Sequence, residues 1–150
     1  MLRKGIKHMK SRTLLIPTMI AFALCLFACS AAIEQVSSID ISFDNFQLNH
    51  HLSKDIEVGV GDTFTVELVS NRTTGFQWPE FGKIVDDTIL KQLDHVYEPP
   101  KSDMLGAAGK EIWTFEALKK GKTNISMEYS QPWEGGIKAE WTFGLNVVVK

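Results

Sequence analysis

The sequence predicts an all-β domain, an antiparallel sandwich of about seven short strands. Three observations lead there. Apolar and polar residues alternate over short runs, most strongly from Ala139 to Val149. Turn residues separate those runs, and no stretch has a convincing helical period. At 150 residues, with 44% apolar and 10% aromatic content, the chain can build one ordinary core and has little room for a second domain.

The first 28 residues differ from the rest. Arg3, Lys4, Lys7, Lys10 and Arg12 precede the run LLIPTMIAFALCLFAC, and no acid appears before Glu34. A basic region followed by an apolar one is a signal peptide. Leu14 to Ala28 is too short for a spanning helix, which needs roughly 20 residues. The run ends in Leu26, Phe27 and Ala28 before Cys29, with small residues following. This resembles the lipobox of bacterial lipoproteins, although Phe27 is bulkier than is usual there. The resemblance implies cleavage before Cys29 and lipidation of that residue, which makes the chain an exported, membrane-anchored lipoprotein. The competing reading is an ordinary secretory signal cut after Ala28 or a nearby alanine. Of the 16 Lys and Arg, five lie in the leader, so 11 stand against 18 Asp and Glu in the mature chain, a net charge of about −7. That balance argues against a nucleic-acid partner. Cys29 has no cysteine left to pair with once Cys25 is removed.

Residues 29–38 are small and polar and are expected to form a tether. Ile39, Ile41 and Phe43 then alternate with polar residues, as do Ile56 and Val58 before a Gly-Val-Gly-Asp turn at 59–62. Thr63 to Val69 is a half-buried strand, and Phe76 to Trp78 a further short one. Residues 83–93 suit either a helical turn or an irregular strand. His95 to Tyr97 is extended, up to Pro99 and Pro100, and a long loop follows. Trp113, Phe115 and Ala117 share one face of a strand, KKGK at 119–122 turns the chain, and Ile125, Met127 and Tyr129 point inward on the next. The last strand carries Ala139, Trp141, Phe143, Leu145, Val147 and Val149 on its inner face.

Three connections stand out. NRTTG at 71–75 places two stiff β-branched threonines in a turn, where Asn-Gly would close a hairpin more simply. Alone, it is also what a plain surface connection looks like. GAAG at 106–109 lacks the strand-to-helix setting and the Lys-Ser or Lys-Thr pair of a phosphate cradle. Trp133 follows Pro132, outside the strand alternation. It is either an exposed aromatic held rigidly or a tryptophan folded over the core edge. Catalysis finds no support: His50, His51 and His95 lack metal-site spacing and suit a solvated surface, there is no nucleophile elbow, and the acids look like solubilising charge.

Together these connections resemble the chagasin-like inhibitors of papain-type cysteine peptidases. The family signatures are an Asn-Pro-Thr-Thr-Gly loop before an aromatic and a tryptophan, a Gly-x-Gly-Gly loop before a strand rich in Trp and Phe, and Arg-Pro-Trp. The chain has Asn71, Thr73, Thr74, Gly75, Phe76 and Trp78, then Gly106, Gly109, Trp113 and Phe115, then Pro132 and Trp133. The resemblance spans roughly residues 55 to 150. It implies an immunoglobulin-like sandwich whose loops 71–75, 105–109 and 131–135 gather at one end and fill a peptidase cleft. The peptidase-binding residues would be Asn71, Arg72, Thr73, Thr74 and Gly75, then Leu105, Gly106, Ala107, Ala108 and Gly109, then Gln131, Pro132, Trp133 and Glu134.

Inhibition would be reversible, non-covalent and competitive, with no cofactor and no metal, and the domain is expected to be monomeric. Arg72 replaces the family proline and forgoes a fixed φ, worth about 0.4 to 1 kcal/mol where proline suits the backbone. Ala108 replaces a glycine and adds a methyl, and Gln131 replaces an arginine and removes a charge. The alternative function is an immunoglobulin-like surface lipoprotein that binds another protein or a glycan with the same loop end. Asn71 and Asn124 begin sequons, which matter only in a glycosylating host.

Overall fold

A computed structural model of the chain describes residues 37–102 and 104–150. The leader, Cys29 and all of the expected tether before Ser37 lie outside the described residues. The described elements are β1 (Ser37–Ile41), α1 (Phe43–Leu48), β2 (His51–Val58), β3 (Thr63–Ser70), a 3₁₀ turn (Arg72–Thr74), β4 (Lys83–Ile84), β5 (Leu90–Glu98), β6 (Gly109–Ala117), β7 (Gly121–Tyr129) and β8 (Trp141–Val149). Two four-stranded sheets, ordered β1-β3-β6-β5 and β2-β8-β7-β4, face each other as the expected immunoglobulin-like sandwich.

The alternation read from the sequence decides which residues face inward. Phe64, Val66 and Leu68 of β3, Trp113, Phe115 and Ala117 of β6, Ile125, Met127 and Tyr129 of β7, and Phe143, Leu145, Val147 and Val149 of β8 are all buried. Every second residue of a strand faces the opposing sheet, so one continuous core lies between the two layers.

The structure departs from expectation in three places and resolves a fourth, the stretch 83–93, which the sequence left open. Phe43 leaves the strand alternation and begins α1, where Asn45 Oδ1 accepts from the Ser42 N–H and hydroxyl, at 2.9 Å each. The helix lays Phe46 flat on Trp141, with ring centroids 4.9 Å apart. Residues 76–78 form a single bridge, Gln77 to Ser130, rather than a strand. The stretch 83–93 divides into β4, a turn in which Asp86 Oδ1 accepts from the Thr88 N–H and hydroxyl, and the start of β5. Finally, the sandwich is not wholly antiparallel: β1 runs parallel to β3 and β2 parallel to β8, while the remaining pairs are antiparallel.

Strand direction sorts the connections between two poles. β3 and β5 both pair antiparallel with β6, so both end at one pole, where 71–82 and 99–108 leave the sheet. β7 ends there too: the Tyr129 hydroxyl accepts from the Asn71 N–H at 2.8 Å. The opposite pole holds the 59–62 turn, in which Asp62 Oδ2 accepts from the Gly59 N–H at 2.6 Å. Ser37, paired with Phe64, enters at this second pole, and Lys150 leaves from it, its N–H bonded to the Val58 carbonyl.

Candidate functional site

Loop 1, residues 71–75, is built around Asn71. Its Oδ1 accepts from the Thr73 N–H at 3.2 Å and from the Thr73 hydroxyl at 2.6 Å, and its carbonyl accepts from the Thr74 hydroxyl at 2.6 Å. These bonds hold Thr73 and Thr74 in a 3₁₀ turn and fix their side chains. Both threonines are nevertheless exposed. Gly75 closes the turn at φ 79°, and its N–H donates to the Arg72 carbonyl at 3.1 Å.

The other two loops are fastened to this one. Asn71 Nδ2 donates to the Gly106 carbonyl at 2.9 Å, joining loop 2, residues 105–109. Ala107 N–H donates to the Met104 carbonyl, and Leu105 stands fully exposed at the tip. Gly109 must remain glycine, because a Cβ there would lie 2.2 Å from the Glu98 carbonyl oxygen.

Loop 3, residues 131–135, meets loop 1 through its tryptophan: a Cβ on Gly75 would lie 2.5 Å from Trp133 Cη2. Trp133 is 49% exposed, so of the two readings of this residue the structure has the exposed one, beside Gly75. Gln131 does more than omit a charge. Its Oε1 accepts from the Ile137 N–H at 3.0 Å and its own N–H donates to the Ile137 carbonyl at 2.8 Å, closing the loop. Lys138 Nζ donates to the Trp133 carbonyl at 3.0 Å and also to that of Gln131. Pro132, Trp133 and Glu134 are all exposed, as is Ala108.

Aromatic packing supports the loop pole. Tyr129 stacks on Trp141 at 4.9 Å, lies 5.0 Å from Trp78 and 5.5 Å from Phe76, and presents its hydroxyl to Asn71. Beside it, Phe43, Phe76, Ile137 and Trp141 line an apolar groove of about 390 Å³, together with Asn71 and Thr74 of loop 1.

Beneath loop 1 lies a feature that the sequence reading missed. Glu111 is fully buried, not a solubilising surface acid. Its Oε1 accepts from the Ser70 hydroxyl at 2.7 Å, and its Oε2 lies 2.9 Å from His95 Nε2 and 3.2 Å from Arg72 Nη2. His95 is likewise not a solvated surface histidine: its side chain is only 13% exposed and stacks on Trp113 at 4.8 Å. The Arg72 guanidinium covers the Tyr97 ring at 4.0 Å. An unpaired carboxylate in this position would cost several kcal/mol, which accounts for the density of partners. The signal was present, since the inward alternation of Ala117, Phe115 and Trp113 continues back to position 111.

The described residues offer no grouping of His, Cys, Asp and Glu that would hold a metal ion. Among the described residues the three loops form one edge tied by Asn71 and Trp133, and much of it is exposed to a partner.

Known proteins resemble this chain in sequence and in fold. Residues 57–147 match the family model described as Chagasin family peptidase inhibitor I42. Chagasin of Trypanosoma cruzi is 32% identical over 87 residues, which cover 57% of this chain and 79% of chagasin. Amoebiasin-2 of Entamoeba histolytica is 28% identical over 95 residues, covering 63% of this chain and 76% of its own. The crystal structure of a cysteine protease inhibitor from Entamoeba histolytica matches 67% of this chain and 95% of its own, with TM-score 0.55 and 26% identity. The structure of PbICP-C in complex with falcipain-2 shares the fold at 14% identity, with TM-score 0.53 over 76% of this chain and 98% of its own. With more than half of its length matched by the family model, the chain belongs to the chagasin family of peptidase inhibitors.

Proposed function

We propose that the loop pole enters the active-site cleft of a papain-type cysteine peptidase and blocks it reversibly, without covalent chemistry. The observation that carries this reading is the tripartite edge itself: Asn71 bonds loop 1 to loop 2, and Trp133 of loop 3 covers Gly75. Thr73 and Thr74 occupy its centre, already ordered by Asn71, so little conformational entropy is lost on binding. Trp133 is the aromatic anchor at one side and Leu105 the apolar tip at the other. Cleft occupation needs no reactive group on the inhibitor, only a shape that keeps substrate out and aligns no peptide bond for attack.

The proposal extends to location. The basic and apolar leader ending at Cys29 supports export with lipidation of that cysteine, which would hold the inhibitor at a membrane surface.

Steady-state inhibition of papain and of a cathepsin L-like enzyme tests the function. Competitive inhibition is expected, with Trp133→Ala raising Ki roughly thirtyfold, equivalent to about 2 kcal/mol, and Thr74→Ala raising it roughly fivefold or more. A folded protein that inhibits neither enzyme, or whose inhibition ignores both substitutions, would sink the proposal.

A further inference from the structure

We infer that Glu111 is a positioning residue for loop 1, holding Arg72 from inside the sandwich and thereby setting how Thr73 and Thr74 are presented. Insofar as it concerns inhibition, this inference rests on the function proposed above. Of the three side chains around the Glu111 carboxylate, Ser70 and His95 belong to strands and are fixed by their ladders. Arg72 alone comes from a loop, and it alone carries a permanent charge to balance the carboxylate.

The dependence runs both ways. Without Arg72 the buried carboxylate loses its compensating cation. Without Glu111 the guanidinium, half-exposed over the Tyr97 ring, keeps that ring contact but loses its ion pair with the sheet. Arg72 also stands at the hinge of the loop: its side chain runs inward, its carbonyl accepts from Gly75, and Thr73 follows directly. An ion pair with one partner in a closed core and the other at the root of a binding turn therefore does what a ring-locked φ would do elsewhere.

The test compares the wild-type protein, Glu111→Gln, Arg72→Ala and the double variant, each as the full chain in detergent. Hydrogen exchange of peptides covering 71–76 is read in the free protein, and Ki is read against papain. Each single variant is expected to exchange at least threefold faster in this loop and to inhibit roughly tenfold less well. The double variant is expected to be no worse than the weaker single one, because the tie is already broken. Unchanged loop exchange in a cooperatively unfolding single variant, or additive losses in the double variant, would overturn the inference. Should Glu111→Gln fail to fold, Arg72→Ala and Arg72→Gln decide: faster loop exchange in both supports the tie, and wild-type exchange in either overturns it. If the wild-type protein does not inhibit papain, the proposed function suffers, whereas the exchange comparison still decides the tie.

Discussion

At position 75 two requirements meet in one residue. The backbone sits at φ 79°, where a side chain costs about 1 to 2 kcal/mol, and a Cβ would strike Trp133 Cη2 at 2.5 Å. Gly75→Ala is therefore expected to lower stability by about 1 to 2 kcal/mol in denaturant titration and also to displace Trp133, seen as a change in its fluorescence. A loss of stability with unaltered tryptophan emission would mean that Trp133 does not rest on Gly75 in solution. The need for glycine here was legible in the sequence, because an Asn-x-Thr-Thr-Gly turn calls for a left-handed residue at its end. Its contact with Trp133 was not, since 58 residues separate the two and no local pattern reports such a meeting. Glu111 shows the converse. Its inward position followed from simple alternation, but a charged residue at the end of an apolar face reads most naturally as the point where burial stops.

Strands behave similarly: alternation identifies them and their buried faces, but not their neighbours. The inner faces of β3, β6, β7 and β8 were readable residue by residue, whereas the parallel placement of β1 and β2 depends on which edges the core leaves open. The six residues of α1 are too few to establish a period, and Phe43 happened to fit the strand pattern before it. Cross-strand chemistry on the outer face of β3 and β6 gives a prediction at this scale. The Lys110 ammonium bonded to Glu67 holds that carboxyl below its ordinary 4.5, against a smaller opposing effect of burial, and the same bond raises Lys110 above 10.5. The contribution of Glu67 is present above pH 4.5 and is lost as pH falls through its lowered value in the folded state. That of Lys110 is present below pH 10.5 and is lost as pH rises through its raised value. Because the pair lies on the outer face of the sheet and is partly exposed, Glu67→Gln should cost only about 0.2 to 1 kcal/mol at neutral pH. Urea titrations of the two proteins should converge in acid and in 1 M salt. A difference that persists under both conditions would show that packing, not charge, is responsible.

For the molecule as a whole, the three loops come from distant parts of the chain and meet because alternate connections of a sandwich leave from the same end. Their order was readable in the sequence; the ties between them, Asn71 to Gly106 and Gly75 to Trp133, emerge only once the sheets are assembled. The lipidation proposed at Cys29 predicts that the processed wild-type chain partitions into the detergent phase, and that Cys29→Ser moves it to the aqueous phase without altering Ki against papain. Wild-type protein found only in the aqueous phase would favour simple secretion. Ser37 enters and Lys150 leaves at the pole opposite the loops. Either position is thus a handle at the pole away from the loops. Whether the attachment there is a resin bead or a fused second protein, the three loops stay uncovered and free to meet a partner.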